Sequence, residues 1–104
     1  MIRWDERSRP GPVAGVTAAD VQGLQLSAAR YVLEPDAVVP EHAHENEEFG
    51  QVLNGTLELT TAGTVEQLAA GDAFLIAGGI PHAARAGTGG CELLECYAPP
   101  RAPR

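Results

Sequence analysis

The sequence predicts an all-β fold, a sandwich or barrel of short antiparallel strands in a single domain. Three observations carry this expectation. From Leu24 onward short apolar or alternating runs recur, each bounded by Gly, Pro, Asn or Asp. No segment joins a helical apolar period to caps at both ends. The 104 residues leave room for one core, and many short strands in so small a chain need near closure to protect their edges.

In chain order, residues 1–23 are rich in Arg, Pro and Gly without a clear period, and read as a loose N-terminal arm anchored by Trp4. Strands are expected at Leu24–Leu33, Phe49–Leu53, Thr56–Thr61, Val65–Leu68, Ala73–Ile76, His82–Ala86 and Cys91–Tyr97. Asn54-Gly55, between VL and TLEL, is the signal of a type I′ hairpin. Ala62-Gly63, Ala70-Gly71-Asp72 and Gly78-Gly79-Ile80-Pro81 mark the other turns. The barrel is thus assigned to residues 24–98. The tail, 99–104 (PPRAPR), reads as an extended surface segment.

Composition narrows the function. A net charge of -7 repels phosphate backbones and anionic lipid, so neither nucleic acid nor a membrane surface is an expected partner. No apolar run approaches a membrane span and the N-terminus has no signal core, which together point to a cytoplasmic protein. All seven basic residues are arginine, which removes Schiff-base chemistry. Ser8 and Ser27 stand in no nucleophile motif. Cys91 and Cys96 are an odd number of positions apart on one expected strand, hence on opposite faces, and read as reduced thiols.

The chemistry-bearing stretch is PEHAHENEEFGQVLNG. His42 and His44 share one face of an extended strand by their period of two, and Glu48 returns to that face. The remaining histidine, His82, follows a glycine-rich turn. An isolated H-x-H would be two solvated side chains, but here a carboxylate, a glycine and a distant Pro-His pair fall where a four-ligand site needs them. Three imidazoles and one carboxylate suit one divalent transition metal, Mn, Fe, Ni, Co or Zn, better than calcium or magnesium.

The run from His42 to Gly55 resembles the first motif of the cupin superfamily at both histidines, the glutamate and the glycine. Gly71, Gly79 and His82 match the second motif, while Asp36, Ala77 and Ala86 depart from the pattern without removing a ligand. The resemblance covers about residues 24 to 98. It implies a double-stranded β-helix of jelly-roll type, with one metal held by His42, His44, Glu48 and His82. Within the superfamily the chain is most similar to the small proteins of pectin degradation that open unsaturated uronate rings, through GQVLNGTLELT, AAGDAFLIAGGIPHAARA and ELLECYAPPR. That likeness implies a catalytic carboxylate at Glu95, where the family has aspartate, and an aromatic partner at Tyr97. In the place of Glu48 the family commonly has glutamine.

Parity supports those two positions, since Glu95 and Tyr97 share a strand face with Leu93. Arg85 is out of step with His82 and should point outward. Arg30 and Tyr31 lie on opposite faces, so at most one lines a cavity. Gly50, Val52, Ala84 and Ala86 share parity with the ligands and would give a small apolar wall able to admit a compact ligand. The resulting expectation is a metal-dependent isomerase or lyase acting on a small hydroxylated acid such as an unsaturated uronate. A metal-dependent dioxygenase and a non-enzymatic small-molecule-binding cupin are the alternatives, and a homodimer is the expected assembly.

Overall fold

A computed structural model of the chain describes residues 1–102. The last two positions of the expected tail, Pro103 and Arg104, lie outside the described residues. The described residues form a short 3-10 turn, Trp4–Arg7, followed by eight strands: β1 Arg9–Pro10, β2 Val16–Gln22, β3 Ser27–Leu33, β4 Val38–His42, β5 Glu47–Thr61, β6 Thr64–Ala69, β7 Ala73–Ile76 and β8 His82–Ala98. Every pairing is antiparallel.

Two long strands organise the fold, which is a double-stranded β-helix. The first half of β5 lies between β7 and the second half of β8, and its second half lies between β6 and the first half of β8. β8 likewise pairs with β3 late and with β4 early. Both strands therefore contribute to both halves of the barrel, and the core of Val16, Leu33, Val52, Leu57, Leu59, Ile76, Ala86, Cys91 and Leu93 lies between them.

The bend has a visible cause. In β5 the inward residues are even-numbered up to Val52 and odd-numbered from Leu57, and in β8 they are even-numbered to Ala86 and odd-numbered from Cys91. A pleated strand changes parity only by taking up an extra residue, and the β5–β8 register shifts between Val52 and Asn54 and between Gly55 and Leu57. Gly55 has φ +77° there, and an added Cβ would press on the Gly90 carbonyl. The hairpin expected at Asn54-Gly55 is thus a bulge inside one continuous strand. The two-residue turn is at Ala62-Gly63, with φ +46° and +84°, as a type I′ turn requires.

Other expectations also change. His82–Ala86 and Cys91–Tyr97 are one strand, because Gly87, Gly89 and Gly90 carry the bend instead of ending it. The strand expected from Leu24 begins at Ser27, with Leu24 fully exposed in the preceding turn. The expected loose arm is mostly ordered structure: β2 pairs with β3 along its whole length and buries Val16, Ala18 and Ala19. Alternation in VTAADVQ is blurred by the adjacent alanines, which hid the strand.

Candidate metal centre

His42 closes β4 directly opposite His82, the first residue of β8. His44 lies in the short link to β5, and Glu48 on β5 is opposite Tyr97 on β8. These pairings bring one ligand atom from each histidine within 4.8 Å of the others. Ring centroids are 4.3 Å apart for His42 and His82, 5.0 Å for His44 and His82, and 5.8 Å for His42 and His44. Glu48 Oε1 lies 3.0 Å from His44 Nε2 and 3.5 Å from His82 Nε2.

Each imidazole is oriented by a backbone carbonyl two residues away. Nδ1 of His42 donates to Pro40 O at 2.9 Å, that of His44 to Asn46 O at 3.1 Å, and that of His82 to Ile80 O at 2.9 Å. This assigns the Nδ1–H tautomer and leaves Nε2 as an electron-pair donor, the arrangement metal-binding histidines adopt. His82 Nε2 is buried and makes no hydrogen bond. Lone pairs facing a carboxylate oxygen repel unless a proton or cation joins them, so the donor set fits a divalent metal ion. Burial and the nearby Arg101 charge lower the His44 pKa, whereas the contact with Glu48 raises that of His82. Burial pushes the Glu48 carboxyl upward, but His82 and Glu95 more than offset it, and its pKa falls below the usual range.

Beside these groups a cavity of about 60 Å³ opens into the barrel. Glu48, His42, His82, Glu95, Tyr97 and Tyr31 form its polar end. Leu33, Leu57, Leu59, Phe74 and Leu93 are among the apolar remainder, so the wall is bulkier than the small residues alone suggested. Gly50 explains the position of Phe74, since a Cβ at Gly50 would collide with that ring. Among the four small residues, Val52 and Ala86 are buried in the core and Ala84 lines the cavity.

A hydrogen-bonded row crosses the polar end. The Tyr31 and Tyr97 hydroxyls are 3.3 Å apart, and Tyr97 donates to Glu95 Oε1 at 2.5 Å. The Glu48 carboxylate is near enough to Glu95 for its charge to act on it. Burial, then the Glu48 charge, hold the Glu95 pKa well above the ordinary carboxylate range. Burial also raises the pKa of both tyrosines. Arg30 pairs with Asp5 and Glu92, so Tyr31 is the member of that pair that enters the cavity. Arg85 is exposed beside Asp36.

The chain matches the cupin domain over residues 29–97. It belongs to the cupin family. Its fold is similar to that of KdgF from Halomonas sp., with a TM-score of 0.88 and 24% identity over 96% of this chain and 92% of that one. A RmlC-like cupin from Shewanella frigidimarina gives 0.85 and 23%, covering 95% of this chain and 90% of that one. Bacillus subtilis oxalate decarboxylase, a protein with Mn(II) centres, gives 0.83 and 22% over 90% of this chain and 28% of its own length. At these identities the likeness shows the fold. No curated protein matches the sequence.

Arg101 is the cavity neighbour that sequence reading quoted but did not assign. Its guanidinium carbon lies 5.7 Å from the Tyr97 ring centroid, and its charge acts on His44, His82, Glu95 and Tyr31. The usable signal was its place just beyond the Glu95–Tyr97 strand. Cys91 is buried, which lifts its thiol pKa to about 11, and Cys96 is half-buried; both are free.

Proposed function

We propose that this cupin is a metal-dependent isomerase or lyase acting on a small hydroxylated acid, with an unsaturated uronate as the leading substrate. His42, His44, His82 and Glu48 are the proposed ligands. A divalent transition-metal ion among them would supply Lewis-acid polarisation of a bound hydroxyl or carboxylate. The observation that carries the reading is Glu95, a cavity carboxyl of raised proton affinity between Glu48 and Tyr97.

Burial and the Glu48 charge favour the protonated form of Glu95, and ring opening or tautomerisation needs a proton moved without redox change. Tyr97 donates to one oxygen of Glu95 and thereby fixes the carboxyl plane. Arg101 supplies positive charge where an acid substrate needs it, while Arg9, Arg30 and Arg85 each face a carboxylate within 3.5 Å. The apolar remainder of the cavity excludes water from that exchange. Likeness to the uronate ring-opening proteins in sequence, and to KdgF in fold, supports the substrate class.

The direct test is incubation of metal-loaded protein with 4,5-unsaturated galacturonate, following loss of the ring double-bond absorbance and formation of the linear keto acid. Absence of consumption with any of Mn, Fe, Ni, Co or Zn would remove this reading. Oxygen uptake in the same assay would instead favour the dioxygenase alternative. We also place the protein in the cytoplasm as a homodimer; no helix among the described residues is long and apolar enough to cross a membrane.

A further inference from the structure

Beyond β8 the chain leaves the sheet, and an exit segment of this kind normally frays because nothing fixes its backbone. Here three side chains do. Ser27, buried to 2% exposure at the start of β3 and opposite Tyr97, accepts the Arg101 N–H at 2.8 Å, and its hydroxyl is directed to Arg101 O at 3.5 Å. Gln22, which ends β2 opposite Ser27, donates to Arg101 O at 2.9 Å. Asn46 donates from Nδ2 to Pro99 O at 2.5 Å.

Asn46 has a second task. Its backbone carbonyl accepts the Nδ1–H of His44. One residue therefore touches both a proposed metal ligand and the segment that carries Arg101. A buried hydroxyl is costly unless bonded, and the bonds of Ser27 go to the main chain of Arg101.

We propose that Ser27 and Asn46 are positioning residues, forming a clamp that holds Pro99–Arg101 at a fixed distance from the metal centre so that the Arg101 guanidinium meets the substrate carboxylate. This rests on the reading above that Arg101 receives that carboxylate. The clamp acts through Arg101 and touches no reacting atom. Its loss should therefore weaken substrate and transition state alike, which appears in KM and not in kcat.

The test uses the full chain, metal-loaded, with Ser27→Ala, Asn46→Ala, Arg101→Ala and the double variant Ser27→Ala/Arg101→Ala. Amide hydrogen exchange at Arg101 should be at least ~10-fold faster in Ser27→Ala than in the wild type, with bound metal unchanged. On unsaturated galacturonate each single variant should raise KM by about 10-fold and leave kcat within about twofold. The double variant should be no worse than Arg101→Ala alone, because both changes remove one interaction. Unchanged exchange at Arg101, multiplying effects in the double variant, or a fall in kcat at constant KM would overturn the clamp. If the wild type consumes no uronate, the isomerase reading falls, and the exchange measurement still decides whether the clamp exists.

Discussion

The Tyr97 hydroxyl donates to Glu95 Oε1 at 2.5 Å, joining two side chains that share one face of β8 at the polar end of the cavity. Tyr97 also stands opposite Glu48 in the β5–β8 register. One ring thus connects a proposed proton carrier with a proposed metal ligand. The roles can be separated by substitution, because Glu95 and Glu48 lie on different strands.

Glu95→Gln keeps the shape and the acceptor for Tyr97 but removes the ionisable group. Turnover of unsaturated galacturonate is expected to fall by ~100-fold or more, with bound metal unaltered. Parallel steady-state kinetics and elemental analysis check this. Wild-type activity in the variant would deprive the isomerase reading of its proton carrier.

His44→Ala and Glu48→Ala are expected to leave bound metal well below one equivalent while the far-UV circular dichroism remains that of a β protein. His44 contributes an oriented imidazole and Glu48 the carboxylate near two Nε2 atoms. Full metal content in both variants would end the four-ligand assignment.

The site and the fold were legible to different degrees. His42, His44 and His82 do come together, but His42 closes β4, His44 comes from the link after it and not from the same strand face, and His82 opens β8, so parity alone did not specify the cluster. Parity did put Arg85 outside and Glu95 beside Tyr97. The bends in β5 and β8 were less visible. A glycine at positive φ serves a hairpin and a bulge equally well, and only the partner strand decides which. Arg101 was hidden for a related reason, because hydrogen bonds to Ser27 and Gln22, more than seventy residues earlier, set its position.

Without metal, Glu95 should make stability depend on pH in a definite direction. Its folded pKa is raised well above the ordinary glutamate value of 4.5. Its stabilising contribution is therefore complete below that value and is lost as pH rises through the folded pKa. Metal-free Glu95→Gln should accordingly gain stability relative to the wild type at about pH 8, and the gap should close at about pH 4. Urea unfolding in EDTA at both pH values measures it. A gap that widens on acidification would contradict the burial of this carboxyl.

Dimerisation is expected to be visible in solution. Phe49 and Leu75 are paired across β5 and β7 and remain 42% and 68% exposed, which marks this sheet face as the one a second copy would cover. Sedimentation at micromolar concentration should give twice the chain mass of 10.9 kDa. A single species at the chain mass would exclude the dimer.

Gly55→Ala tests the bulge that lets β5 enter both halves of the barrel. Two costs coincide at this residue. A φ of +77° disfavours any side chain, and the new Cβ would meet the Gly90 carbonyl, backbone that cannot rotate away. The conformational cost alone is roughly 1–2 kcal/mol, and the collision adds to it. Gly63→Ala is the control, since Gly63 has φ +84° but open space around its would-be Cβ. Gly55→Ala should therefore lower the urea midpoint clearly more than Gly63→Ala does. Equal losses would mean that the two long strands do not depend on close approach at Gly90, and the parity change in β5 would need another cause.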